Sequence, residues 1–178
     1  TRLIEYAGPR RAVQLIPYAT TPEFLQLAAT LRDEHDLEII LPESLTAECL
    51  WLVDYIDSKS GFRALAAQCL PNSSQLLPEG IICRNTSQAA EVAHWFGRRG
   101  KSCIVKPDCG GSGIGLTILR REECLLEKDV LNRLQNNPFL RGDLILVEEF
   151  IEAFAHLSPS LELFVPPLGR EEPQITYL

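Results

Sequence analysis

Residues 102–119, SCIVKPDCGGSGIGLTIL, restrict what this 178-residue chain can fold into more than any other stretch. Gly110, Gly111, Gly113 and Gly115, with Ser112 among them, fall between two β-rich runs, and Lys106 closes the first run. Glycines let a backbone approach an anion closely and turn its N–H groups toward it. A lysine leaving a strand of apolar residues, here Cys103, Ile104 and Val105, either snorkels to water or pairs with a negative charge. Together they predict a phosphate-gripping turn; the bland alternative is a solvated hairpin tip.

The order of the parts separates three kinds of phosphate loop. A P-loop needs a Lys-Ser or Lys-Thr after its glycines and a helix behind them, and neither follows here. A dinucleotide fingerprint also opens a helix, whereas Leu116-Thr117-Ile118-Leu119 reads as a strand. In protein kinases the lysine lies on a strand after the glycine-rich hairpin; here it comes before. Strand, Lys-Pro, glycine-rich turn, strand is the pattern that remains.

Around it the chain reads as α/β to α+β. Residues 12–19 suggest a short buried strand. Thr21-Pro22-Glu23 makes a helix start, with a hydroxyl cap, proline at the first helical position and an acid on the positive end of the dipole. Phe24, Leu27, Ala28 and Leu31 supply its stripe, and residues 37–41 form a second strand, giving a Rossmann-like strand–helix–strand. Asp57 or Ser58 caps another helix with an apolar face of Phe62, Leu65, Ala66 and Cys69, and residues 71–78 read as a connector. Strands are then predicted at 81–84, 102–106, 116–119 and 143–147, and helices at 86–96 and 122–135. Two strand-like runs, 161–165 and 174–178, close the chain. A lobe boundary is expected near residue 57.

The net charge of -7 argues against a nucleic-acid partner, which demands a basic face, and no apolar run reaches the length of a membrane span. The six cysteines form no CxxC pair, and His35, His94 and His156 complete no zinc-like spacing. They are expected to be reduced and mostly buried, which fits a cytoplasmic protein. The chain begins at Thr1, so its natural N-terminus is expected to lie upstream.

Three motifs bring a family resemblance into view. IVKPDCGGSGIG resembles the lysine strand and glycine-rich loop of the ATP-grasp superfamily, and LILVEEFI resembles its hinge. DSKSGFRALAAQC resembles the Asp-Lys helix start that opens many ATP-grasp domains. The resemblance spans roughly residues 57–165. It implies the end of a Rossmann-like pre-ATP-grasp domain over 1–56 and an incomplete ATP-grasp domain over 57–178. The nucleotide-binding lobe would cover about 79–151, followed by the start of a second lobe. It assigns Lys59 and Lys106 to the ATP phosphates. Lys59 also opposes the dipole of its own helix, which a nearby anion would rationalise. Glu148, Glu149, Phe150 and Ile151 would present backbone groups and an apolar lid to the adenine, and Glu162, near Ser160, would hold the ribose.

The implied activity is that of a carboxylate–amine or carboxylate–thiol ligase, in which ATP turns a carboxylate into an acyl phosphate for attack; a peptide ligase is the subfamily suggested. ATP or ADP and small carboxylate and amine substrates are the partners expected. The family holds Mg²⁺ with a late acidic pair and an asparagine, and steadies the acyl phosphate with an arginine. Glu171 and Glu172 read as a solvated turn, so the Mg²⁺ ligands are expected beyond residue 178 and this piece alone is expected to be inactive. Its edges at 161–165 and 174–178 suggest self-association. The alternative reading is a non-catalytic nucleotide-binding or interaction module.

Overall fold

The computed structural model describes residues 2–141, 144–152, 161–166, 169 and 172–177, with only the backbone of residues 73 and 74. The chain opens with α1 (Arg2–Ala7), β1 (Ala12–Gln14), α2 (Pro22–Asp33) and β2 (Glu38–Ile40). The two strands run parallel, with Val13 opposite Ile39. Thr21 caps α2 by accepting a bond from the Phe24 N–H, and Ala28 and Leu31 face inward. Val13, Ala28, Leu31, Leu37 and Ile39 form a small core of their own. The strand expected over 12–19 stops at Gln14. Its partner is three residues long, Pro17 has no N–H to donate, and Tyr18 stands fully exposed.

Two helices meet at a corner before the main sheet. The first, α3 (Leu50–Asp57), was not signalled, because no side chain caps it and none of its residues is buried. The second is α4 (Lys59–Cys69). Ser58 ends one and caps the other: its hydroxyl donates to the Tyr55 carbonyl at 2.8 Å and accepts from the Gly61 N–H at 3.0 Å. A β-carbon on Gly61 would stand 1.9 Å from the Tyr55 carbonyl oxygen, so only glycine permits this corner. Of the apolar face expected for α4, Ala66 is buried and Leu65 half-buried, whereas Phe62 and Cys69 are exposed. The expected connector holds one helical turn, α5 (Ser73–Leu76).

The main sheet is built from β3 (Gly80–Cys83), β4 (Cys103–Pro107), β5 (Thr117–Leu119) and β6 (Ile145–Glu149), in the order β3-β6-β4-β5 and antiparallel throughout. Its helical cover is α6 (Thr86–Arg98), α7 (Arg121–Cys124) and α8 (Glu127–Gln135). Asn85 caps α6 by accepting from the Gln88 N–H at 2.9 Å. Cys83, Val105, Leu119, Ile145 and Val147 pack against Phe96 and Leu134 of the helices in one core. Each such large side chain contributes about 1.5–3 kcal/mol by leaving water. The single helix expected over 122–135 is broken at Leu125 and Leu126, both exposed. The break lets Cys124 face inward, with its thiol 3.6 Å from that of Cys103, while Val130 and Leu134 reach the same core from a fresh start at Glu127.

The cysteines depart from expectation. Cys83, Cys103 and Cys124 are buried, but Cys49, Cys69 and Cys109 are exposed; no disulfide joins any of the six. Burial pushes the Cys83 thiol up to about 11. Among the described residues no helix is long and apolar enough to cross a membrane. The closing hairpin pairs β7 (Glu162–Phe164) with β8 (Gln174–Tyr177), every residue of both being exposed.

Candidate functional site

Alternation along β4 and β6 sends one set of side chains to the helices and the other to a cleft. In register, Lys106 lies opposite Leu146 and Ile104 opposite Glu148, and residues directly opposed in an antiparallel pair share a face. A cleft of about 560 Å³ opens over this face, lined by Lys59, Phe62 and Arg63 of α4, by Leu77 and Pro78, and by Lys106, Leu146 and Glu148.

Glu148 is the charged centre of that cleft, its side chain only 8% exposed. One carboxylate oxygen pairs with the Lys106 ammonium, and the other accepts from Arg63 Nη1 at 3.1 Å. Arg63 Nη2 also donates to the Pro78 carbonyl at 2.7 Å. A carboxylate this shielded costs several kcal/mol of desolvation unless cations flank it, and here two do. The hinge expectation used only the backbone of Glu148. Its side chain is what enters the cleft, and its spacing two residues from Leu146 was the available signal.

The N-terminus of α4 rests on Asp108, just past Lys106 and Pro107. Asp108 is 6% exposed. Its carboxylate accepts from the Ser60 N–H and from the Ser60 hydroxyl, each at 2.7 Å. Its carbonyl accepts from the Lys59 N–H at 3.0 Å and from Lys59 Nζ at 3.2 Å. A carboxylate on the first turn satisfies orphan N–H groups and complements the dipole. The carboxylate thus serves the helix N-terminus through Ser60, while the Lys59 ammonium bonds main-chain carbonyls, that of Asp108 and, at 3.0 Å, that of Gly110.

The glycine-rich loop is anchored at both ends and open at its tip. At the far end Asn137 donates to the Gly115 carbonyl at 2.9 Å and to the Thr117 hydroxyl at 3.1 Å. Gly115 adopts φ +80°, and a β-carbon there would lie 2.6 Å from Cβ of Phe139. At the tip, added β-carbons on Gly110 and Gly111 would meet nothing within 4 Å. Ser112 takes φ 55°, unusual for a residue with a side chain.

The hinge residues divide. The Glu149 N–H is taken by the Glu79 carbonyl at 2.8 Å and the Phe150 N–H by that of Ser102 at 3.0 Å. The Ile151 N–H has no partner among the described residues. Glu149, Phe150 and Ile151 line a second cleft of about 700 Å³ with Ser102, Arg120 and Arg121. There the Arg120 guanidinium lies 5.4 Å from the Phe150 ring centre, and Lys101 pairs with Glu149 at 2.7 Å.

Lys59, Lys106 and Glu148 thus come together, and Lys59 ties Gly110 to them. Glu149, Phe150 and Ile151 sit along the same strand but on the neighbouring cleft. Glu162 lies on the exposed hairpin, accepting from the Thr176 hydroxyl at 2.9 Å, and lines neither cleft. Ser160 and Glu171 fall outside the described residues. The residues that sequence reading missed are Arg63 and Asp108. A nucleotide fits this donor set: cations, an apolar sheet face, an uncluttered glycine tip and a spare backbone donor. Among the described residues no three His, Cys, Asp or Glu side chains are grouped to hold a metal ion.

No family model matches the chain. Its sequence is similar to biotin carboxylase of Haemophilus influenzae, 23% identical over 113 residues, which are 63% of this chain and 23% of that protein. Among solved structures it is similar to D-cycloserine synthetase DcsG, with a TM-score of 0.41 and 18% identity over 72% of this chain and 39% of the other. It is also similar to the biotin carboxylase domain of the Hydrogenobacter thermophilus 2-oxoglutarate carboxylase, solved with MgADP, ADP and bicarbonate. There the TM-score is 0.44 and the identity 21%, over 85% of this chain and 31% of the other. The chain spans less than half the length of each. All are ATP-grasp enzymes, and the sequence match to biotin carboxylase bears out the ATP-grasp relationship of the motifs.

Proposed function

We propose that this chain is the nucleotide-gripping part of an ATP-dependent carboxylate–amine ligase. The observation that carries the reading is the convergence of Lys59, Lys106 and Glu148 on one cleft, with Lys59 bonded to the glycine loop at Gly110. ATP supplies a γ-phosphoryl group that converts a carboxylate into an acyl phosphate.

The chain's own residues hold and orient. Lys106 turns its ammonium to the phosphates, and the backbone N–H groups of Gly110, Gly111, Ser112 and Gly113 close over them, a charge-assisted arrangement suited to phosphoryl transfer. Lys59 fixes the loop at Gly110 and adds positive potential beside it. Leu146, opposite Lys106, gives the bound nucleotide an apolar floor in the first cleft. On the neighbouring cleft, the Ile151 N–H and nearby carbonyls supply edge contacts to the purine, and Phe150 shields them. Domain limits near residue 57, a ribose contact from Glu162, Mg²⁺ use and peptide-bond formation belong to this proposal as its finer parts. Mg²⁺ has no set of ligands among the described residues, and no step here is assigned to it.

Calorimetric titration of the chain with ATP, ADP, AMP and GTP tests the reading. Saturable binding of ATP and ADP, weaker for AMP and for GTP, is expected. No binding of ATP or ADP at millimolar concentration would refute it.

A further inference from the structure

Two cations share the single carboxylate of Glu148. Lys106 reaches it from β4 and Arg63 from α4, and all three side chains are at least three-quarters shielded from water. Arg63 is itself held by the Pro78 carbonyl and packs so closely over β3 that a β-carbon on Gly80 would stand 3.0 Å from its guanidinium. The other charged groups on this cleft are Asp57 and Lys59, and the Lys59 ammonium is committed to the carbonyls of Asp108 and Gly110.

A shielded carboxylate with one cation holds it tightly, since separating the pair strands a charge away from water. With two cations the balance changes: one leaves and the other remains as counter-charge. Arginine suits the part that stays, because its planar fork holds two acceptors at once, here the carboxylate and a carbonyl. Lysine, a point charge on a flexible stem, suits the part that moves. Resting on the nucleotide reading above, we infer that Arg63 is a positioning residue that neutralises Glu148 and so frees Lys106 to turn from the carboxylate to a phosphate. Arg63 acts through Glu148 and does not itself touch the nucleotide.

The inference separates phosphate binding from base binding, and titration of the full chain with ADP and with adenosine reads both. Arg63→Met is expected to weaken ADP about tenfold, the scale of one charge-assisted bond, and to leave adenosine within about twofold. Adding Glu148→Gln to that variant removes the trap and is expected to restore ADP to within about threefold of wild type. Arg63→Lys, which keeps the charge but loses the fork that also holds the Pro78 carbonyl, and which covers the case in which Arg63→Met does not fold, is expected to weaken ADP less than Arg63→Met does. ADP affinity unchanged in Arg63→Met, an equal loss of ADP and adenosine, no restoration in the double variant, or a tenfold loss in Arg63→Lys would each overturn the inference. A wild-type chain that binds neither ligand removes the nucleotide reading and this inference with it. Binding that Lys106→Ala weakens and Arg63→Met does not removes the inference alone.

Discussion

Replacing Asp108 by alanine removes the support on which α4 meets the glycine loop. The two bonds to Ser60, at 2.7 Å each, go with the side chain, whereas those from Lys59 to the Asp108 carbonyl use the main chain and survive. Loss of a cap-like acceptor costs about 1–2 kcal/mol, and loss of the charge at the helix N-terminus a further 0.3–1 or so. The orphaned Ser60 N–H brings the total to about 2–4 kcal/mol. For a chain of this size that is a fall of roughly 6–12 °C in Tm. Asp108→Asn keeps an acceptor for the N–H and a partner for the hydroxyl, and loses mainly the charge, so it should fall by only about 2–4 °C. Thermal melts followed by circular dichroism compare the two. An alanine variant within about 2 °C of wild type, or an asparagine variant as unstable as the alanine one, would show that Asp108 does not anchor α4 as described.

Lys106→Ala is expected to weaken ADP binding more than any other single lysine substitution, by about tenfold, because part of its bond to phosphate is offset by leaving Glu148; calorimetry showing a change within twofold would contradict this. Gly115→Ala forces a left-handed residue into Phe139 and should cost about 2–4 kcal/mol in urea denaturation. Gly111→Ala, into open space, should leave the denaturation midpoint unchanged and weaken ADP instead; the reverse pattern would argue against the open-tip description. Burial, with a smaller contribution from the charge of Glu91, holds the folded Cys83 thiol at about 11, above its ordinary 9.0. The unfolded chain therefore loses that proton first, and the thiol's contribution is whole below pH 9 and fades as pH rises toward 11. Stability measured across that window should fall less steeply in Cys83→Ala than in wild type, and equal slopes would refute the assignment.

What local chemistry specifies was legible in the sequence. Thr21 announces α2 by its hydroxyl and the proline behind it, Ser58 caps α4, and Lys106 with the glycines marks the turn between β4 and β5. Pairings across the chain left no such trace. Asp108 and Ser60 lie 48 positions apart, and Arg63 and Glu148 lie 85 apart, so no periodicity connects them. Lys59 illustrates the consequence: its place against the helix dipole called for an anion, whereas its ammonium bonds the main-chain carbonyls of Asp108 and Gly110, and the Asp108 carboxylate caps the helix through Ser60. Where packing overrides pattern, the boundaries moved. The apolar period across 122–135 reads as one helix, but burying Cys124 beside Cys103 and sending Val130 and Leu134 into the same core needs a break between them. The sequence offers Glu148 as a hinge residue through its backbone, and only the register with Ile104 turns its side chain toward the cleft.

Titrating ADP into the ¹⁵N-labelled chain, with amide resonances assigned and followed residue by residue, tests the nucleotide-gripping cleft most directly. Saturable shifts are expected at Lys106, at Gly110 to Gly113 and at Ile151, with the loop amides exchanging more slowly with solvent once ADP is bound. Shifts confined to α2 or the hairpin of β7 and β8, or none at all at millimolar ADP, would contradict the account.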